Sequence, residues 1–508
     1  MSAASPFSRR AVLSALGAGL TAWGLGGETR ADAPPVLIDA RAGATPFDHY
    51  WEACVGSDRA SVAMRADWRS DLALVKREAG FKSVRFHGLL DDDMALCRRI
   101  GPEGPELNFL YIDQIFDAML GLGVRPFVEL SFMPLPLATS QNSIFWYKGN
   151  TSPPSSLETW VKVITGLASH LVGRYGLEEV RQWRFEVWNE PNLPFWASTQ
   201  SAYFDLYAAT ARGLKSVNPA LQVGGPATAQ LMWIDDFLAY CAKHNAPVDF
   251  VSSHVYADDP QENLFGKEMN YPREAVIPLA LKAAKAKIRA SAFPNLPLVI
   301  SEWTSQNPAF IAQTIRDCAG LCDTFSYWTF DNIFEERGPI PGYDNDLYGL
   351  LNQGSVPRPS FRAFQLLHRL GSERLETGDA PLIATRRPDG GLSILAWNLI
   401  TSRDHTSLAG NPLAAPGGEP ILPGPERQIG LRLAGLKSRR ARLTTIDFAH
   451  DPARRLYEAF GRPGSPTQIQ LDALRKAQGL EAQTADLDAA GQIRLSLPAN
   501  GVALLETD

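Results

Sequence analysis

Residues 184–192 read Arg184-Phe185-Glu186-Val187-Trp188-Asn189-Glu190-Pro191-Asn192. The first five form a short apolar-rich run that reads as a buried strand, and the polar Asn-Glu-Pro-Asn turn ends it. A second run of the same kind closes in Val299-Ile300-Ser301-Glu302-Trp303. Around these two, strand candidates fall at 51–56, 83–87, 125–130, 222–225, 250–254 and 324–329, which with 184–188 and 298–302 makes eight. Amphipathic stretches separate them. In residues 157–174, for example, Trp160, Val163, Ile164, Leu167 and Leu171 recur at the spacing of one buried helix face. Strands alternating with helices eight times over are the pattern of an α/β fold closed into a (β/α)8 TIM barrel, here over residues 46–365.

After Leu370 the texture changes. Pro/Gly-rich turns separate short alternating strands at 392–399, 440–447, 492–497 and 502–506, which predicts a C-terminal β-sandwich domain over residues 366–508. Residues 467–476 read as a helix capped by Thr467 with Leu471 and Leu474 facing inward, and the run 35–41 within residues 34–45 offers the sandwich one more strand. At 508 residues the chain exceeds what one core usually organises, which suits two domains.

Composition narrows the function classes. The chain is 45% hydrophobic and 20% charged, ordinary for a globular protein. Its 49 Lys plus Arg stand against 55 Asp plus Glu, a net charge of -6, so no basic excess exists to neutralise phosphates and nucleic acid is not an expected partner. Cys54, Cys97, Cys241, Cys318 and Cys322 are odd in number and scattered, without a paired motif, so no disulfide framework is expected. Cys318 and Cys322, four apart on an expected helix, read as buried small side chains rather than metal ligands. Residues 1–33 read as an export signal: Ser8-Arg9-Arg10-Ala11-Val12-Leu13, an uncharged run to Gly27, then Ala31-Asp32-Ala33. That order resembles a twin-arginine signal cleaved after Ala33, which predicts a periplasmic or extracellular protein with no membrane contact once the signal is removed.

In such a barrel, reactive groups gather at the C-terminal ends of the strands, where Glu190 and Glu302 stand. Strands four and seven face each other across the ring, so the two carboxyls are expected at about 5–5.5 Å, the separation used in covalent cleavage of a glycosidic bond. Glu190 stands beside Asn189 and Trp188, neutral and aromatic surroundings that raise a carboxyl pKa and suit a general acid/base. Singly, either glutamate could equally accept loop amides or pair with an arginine at the barrel rim.

Several stretches resemble glycoside hydrolase family 39, which holds β-xylosidases and α-L-iduronidases. They are Phe81-Lys82-Ser83-Val84-Arg85-Phe86-His87-Gly88-Leu89-Leu90, Arg125-Pro126-Phe127-Val128-Glu129, Phe132-Met133-Pro134, Trp146-Tyr147-Lys148-Gly149-Asn150, Glu186 to Asn192, and Tyr327-Trp328-Thr329-Phe330. The resemblance implies a retaining clan A barrel in which Glu190 is the acid/base and Glu302 the nucleophile. It also implies that the Phe334-Glu335-Glu336 turn reaches the sugar's remote hydroxyls, although a surface charge pair is the plainer reading of Glu335 and Glu336.

Other residues take supporting jobs or plain structural ones. Asn189 suits a hydrogen bond to the sugar 2-hydroxyl, or to loop backbone. Arg85 and Tyr256 would orient Glu302 and keep it ionised, or belong to a barrel layer. His87 and His254, at the ends of strands two and six, suit sugar hydroxyls or carboxylate partners, or the core. Trp328, Phe132 and Trp146 are candidate aromatic walls for a pyranose, Trp328 foremost. The sequence departs from the family pattern at Trp303-Thr304-Ser305-Gln306-Asn307-Pro308, Phe330-Asp331-Asn332-Ile333 and Tyr343-Asp344-Asn345-Asp346, loops expected at the pocket mouth. The reading is an exo-acting β-xylosidase on xylo-oligosaccharides, without metal or organic cofactor. Arabinosides, glucosides, an exopolysaccharide substrate, or a noncatalytic carbohydrate-binding protein stay open at this point.

Overall fold

Eight parallel strands close into a ring in chain order: Val55–Arg59, Ser83–His87, Arg125–Leu130, Arg184–Val187, Gln222–Thr228, Phe250–His254, Leu298–Trp303 and Thr324–Tyr327. The last returns to the first through Tyr327 opposite Val55. The computed structural model describes residues 34–340, 343, 348–401, 413–414, 419–477 and 480–508. The expected signal at 1–33 and Asp344-Asn345-Asp346 lie outside them. Among the described residues, no helix is long and apolar enough to cross a membrane.

The helices pack outside the ring by the stripe their sequences carry. In Leu157–Tyr175, the side chains of Trp160, Val163, Ile164, Leu167 and Leu171 are all buried, and Ser156 caps the helix by accepting from the Thr159 N–H. Helix Pro308–Cys318 starts on Asn307, whose side chain accepts from the Ala309 and Phe310 N–H groups. It ends at Cys318, so Cys322 sits in the turn beyond rather than on the same helix; all five cysteines are buried free thiols.

The first barrel strand departs from the expected 51–56. Trp51 lies in a short 3-10 turn, Tyr50–Glu52, and the strand runs Val55–Arg59. Every residue of both pieces is buried, Asp58 and Arg59 included, so hydrophobicity carried no mark of where the strand starts. The eighth strand stops at Tyr327, ahead of the expected Thr329.

Beyond the helix Pro359–His368, two sheets stack. The smaller joins Val36–Asp39, Arg427–Ala434 and Gln492–Leu497, the first of them parallel to the second. The larger is seven-stranded and contains Leu382–Arg386, Leu392–Trp397, Ala441–Ile446 and Val502–Thr507. Ile38, Leu431, Leu433, Leu495 and Leu497 from one sheet meet Leu382, Ala384, Leu392, Ile394 and Leu505 from the other. Gln492–Leu497 keeps the expected alternation, but Leu392–Trp397 and Val502–Thr507 are buried at every position. The reason is that Ile383, Leu395, Trp397, Val502 and Leu504, on the opposite face of the larger sheet, join the barrel's own core. Trp397 carries the Arg316 guanidinium of helix Pro308–Cys318 at 5.1 Å. Thr467 caps Gln468–Lys476 in a reciprocal capping box, with Leu474 buried.

Candidate active site

The turn after the fourth strand is strained and pinned. Trp188 and Glu190 adopt φ of 74° and 45°, left-handed values that side chains with a Cβ rarely take and that cluster at functional sites. The Glu190 N–H donates to the Ala227 carbonyl at 2.8 Å. The Asn192 side chain accepts from the Ala229 N–H at 2.8 Å, and the Trp188 indole donates to the Phe195 carbonyl at 2.8 Å. These contacts hold the Glu190 side chain over the barrel mouth.

Below it sits Arg85 of the second strand, wholly buried. Its Nε donates to Glu186 at 2.6 Å, its Nη1 to Glu302 at 2.7 Å and its Nη2 to the Asn189 amide oxygen at 3.0 Å, while Glu129 lies 2.8 Å from Nη2 as an ion pair. Burial alone would pull protons off this guanidinium, but the three carboxylates outweigh it and raise its pKa well above the ordinary value. Glu129 shows the converse. Burial pushes its carboxyl up, and Arg85 and His87 overcome that to leave it below the usual range. Glu129 and Glu186 lie opposite each other on adjacent strands, which is tolerable only with a cation between them.

Glu302 ends the seventh strand with a partner on each oxygen: Arg85 on Oε1 and the Tyr256 hydroxyl, at 2.7 Å, on Oε2. His254 of the sixth strand bridges it to Glu190. The histidine Nδ1 lies 2.8 Å from Glu190 Oε1 and 3.4 Å from Glu302 Oε2, and one oxygen of each glutamate lies within 4.8 Å of the other. Arginine is a donor only, so the 3.3 Å contact of Arg85 Nη2 with His254 Nε2 places the histidine proton on Nδ1, directed at Glu190. Burial holds His254 neutral, with a pKa of about 4. Burial likewise pushes Glu190 up to about 7, partly checked by His87 and Arg85.

A cavity of about 330 Å³ opens over this pair, lined by His87, Phe145, Asn189, Tyr256, Trp328 and Glu336 as well as Glu190 and Glu302. His87 donates to Glu129 at 2.8 Å and reaches within 3.7 Å of both Glu302 and Glu336. Burial lowers its pKa, but Glu129 more than offsets this and brings it to about 9, so the ring is an imidazolium. Burial and the nearby Asp58 raise Glu336 well above its ordinary value. Its neighbour Glu335 turns away: the side chain faces a second cavity beside Ile340 and Leu471 and lies 3.9 Å from Arg59. Among the expected aromatic walls only Trp328 lines the pocket, its ring 4.6 Å from that of His87. Phe132 is buried behind it against Trp188, Trp146 is 54% exposed at the rim, and Phe145 takes the place assigned to them.

Two clusters among the described residues bring enough ligand atoms together for a metal ion: Glu190, His254 and Glu302, and, at the last barrel helix, His49, Glu52 and His368. In the first, the guanidinium of Arg85 on Glu302 opposes a second cation. In the second, Glu52 already accepts from both imidazoles, at 2.7 and 2.8 Å.

The family model for glycosyl hydrolases family 39 matches residues 35–493. The chain belongs to that family. It is 36% identical over 493 residues to a beta-xylosidase of Geobacillus stearothermophilus, covering 92% of this chain and 94% of the relative. A beta-xylosidase of Caulobacter crescentus superposes with a TM-score of 0.79 at 32% identity, covering 94% of this chain and all of that one. An alpha-L-iduronidase of Canis lupus familiaris is 29% identical over 216 residues, 40% of this chain and 31% of its own length. This glycosidase therefore cleaves O-glycosyl bonds on a family 39 barrel.

Five charged residues of the site escaped sequence reasoning, Asp258 on the cavity wall among them. Glu129 and Glu186 carried a usable signal, since an acid at an inward-facing position of an apolar strand demands a buried cation. Arg273 and Glu419 also line the pocket, but nothing local marks them.

Proposed function

We propose that this glycosidase is an exo-acting β-xylosidase that removes single xylose units from xylo-oligosaccharides with retention of configuration. The observation that carries the reading is that one oxygen of Glu190 and one of Glu302 lie within 4.8 Å of each other, an approach that fits the shorter spacing of a retaining pair better than the wider one of an inverting pair. The beta-xylosidase relatives support the choice of sugar. Glu190, whose raised pKa of about 7 lets it keep its proton up to near-neutral pH, gives that proton to the glycosidic oxygen while Glu302, held by Arg85 and Tyr256, attacks the anomeric carbon. A xylosyl ester forms on Glu302. Glu190, now a carboxylate, takes a proton from water, which breaks that ester and restores both groups.

Asn189, its oxygen fixed by Arg85, offers its amide N–H to the 2-hydroxyl. Glu336 and His87 meet the remote hydroxyls, and Trp328 supplies the ring platform. Glu335 is left to the loop. Export through the twin-arginine-like residues 1–33 completes the proposal. Hydrolysis of an aryl β-xyloside followed by proton NMR tests it: β-xylose appears first and then mutarotates. First-formed α-xylose, or no release of xylose, defeats the assignment.

The pH profile checks the acid. Glu190 must carry its proton to act, so kcat/KM is expected to fall about tenfold per pH unit above a limb near 7. In Glu190→Ala that alkaline limb disappears.

A further inference from the structure

We infer that Glu419, contributed by the segment between the sandwich strands Leu392–Trp397 and Arg427–Ala434, is a positioning residue for the reaction. It braces the loop that follows Glu302 against the loop that carries Tyr256. The inference rests on Glu302 acting as nucleophile.

Glu419 is 8% exposed and lines the same cavity as the catalytic pair. Its Oε1 accepts from the Ser305 hydroxyl at 2.8 Å and from Arg273 Nη1 at 2.9 Å; its Oε2 accepts from the Gln306 backbone N–H and from Ser305 at 3.1 Å. Arg273 continues the chain of contacts with two parallel bonds to Asp258, at 2.9 and 3.1 Å, while its guanidinium lies 4.5 Å from the Phe310 ring. Asp258 and Asp259 follow Tyr256 in sequence, and Asp259 accepts from the Tyr256 N–H at 2.8 Å. Tyr256 closes the circuit on Glu302 at 2.7 Å.

Residues 304–306 lie in irregular backbone between the seventh strand and the helix at Pro308, where no ladder of hydrogen bonds holds them. A buried ion pair adds little net stability, because desolvation consumes most of the Coulombic gain. What such a pair does supply is a fixed direction. Here the direction it fixes is that of the two loops that aim Glu302 and its hydroxyl partner, where a misplacement of about 1 Å lowers rates roughly 10²-fold. The sandwich thereby takes part in the active site.

The test uses the full chain with Glu419→Ala and Ser305→Ala. Rates are measured on an aryl β-xyloside, together with covalent labelling of Glu302 by a 2-deoxy-2-fluoro xyloside, xylose inhibition and the thermal midpoint. Glu419→Ala is expected to lose about 10²-fold in kcat and in labelling rate, with the xylose inhibition constant within about twofold of wild type. Ser305→Ala, which removes the hydroxyl's contacts with both Glu419 oxygens and the acceptor of the Asn307 N–H but keeps the ion pair, is expected to lose about threefold to tenfold in the same two rates. It serves alone if the first variant does not fold. Labelling at the wild-type rate in the folded variants, whatever the thermal midpoint, overturns the brace. Wild-type enzyme that hydrolyses xylosides without labelling at Glu302 overturns both the brace and the nucleophile assignment.

Discussion

Glu302→Ala is expected to reduce kcat on an aryl β-xyloside by roughly 10⁴- to 10⁶-fold, the scale on which loss of a covalent nucleophile acts. The pocket otherwise survives. Arg85 keeps Glu129 and Glu186, and Tyr256 loses one contact. Added azide then fits the vacated space beneath the anomeric carbon and is expected to yield the α-xylosyl azide. In Glu190→Ala, the opposite face of the sugar is the open one. Azide should attack the xylosyl ester there and give the β-azide, and the loss in rate should depend on the leaving group. It should be about 10²- to 10⁴-fold for an alkyl xyloside or xylobiose and smaller for a nitrophenol, which leaves without help. Product analysis by NMR separates the two roles, and the same azide anomer from both variants would falsify the assignment.

The second large effect is expected at Arg85. Arg85→Met keeps the length of the side chain and removes the charge, leaving Glu129, Glu186 and Glu302 facing one another with His87 as the remaining cation among their partners. Breaking a buried pair in this way costs about 3–5 kcal/mol, readable as a lowered midpoint in urea together with loss of activity. Its pH dependence follows from Glu129. The folded protein holds that carboxyl below its usual value, so the stability it contributes is present above the unfolded pKa and disappears as pH falls through the folded one. Without Arg85 that contribution is largely gone. The gap between variant and wild type is therefore expected to be widest at neutral pH and to shrink on acidification below about 4.5. A gap that grows on acidification rules out the charge argument.

The two predictions draw on differently legible parts of the chain. Glu190 and Glu302 were visible because each ends an apolar run at a place where a polar residue serves no packing purpose. The strands expected at 83–87, 125–130 and 250–254 match Ser83–His87, Arg125–Leu130 and Phe250–His254, since each apolar run there is bounded by polar or turn-forming sequence. The first strand was displaced because burial on all sides erases periodicity, and burial of the larger sheet on both faces hid the alternation of Leu392–Trp397 for the same reason. Glu335 and Glu336 are adjacent and identical in type, yet one enters the pocket and the other turns away.

By itself, then, the order of apolar runs, helical stripes and turn residues determined an eightfold barrel followed by a β-sandwich, with Glu190 and Glu302 at strand ends that meet across the ring. Those are properties of neighbouring residues, written in spacing and side-chain type. Only the tertiary structure decided that Arg85 would tie three carboxylates together, that His254 would carry its proton on Nδ1 toward Glu190, and that Glu419 would reach Arg273 and Ser305. Each of these pairings joins segments far apart in the chain. Their strength comes from burial and direction in space, to which local sequence has no access.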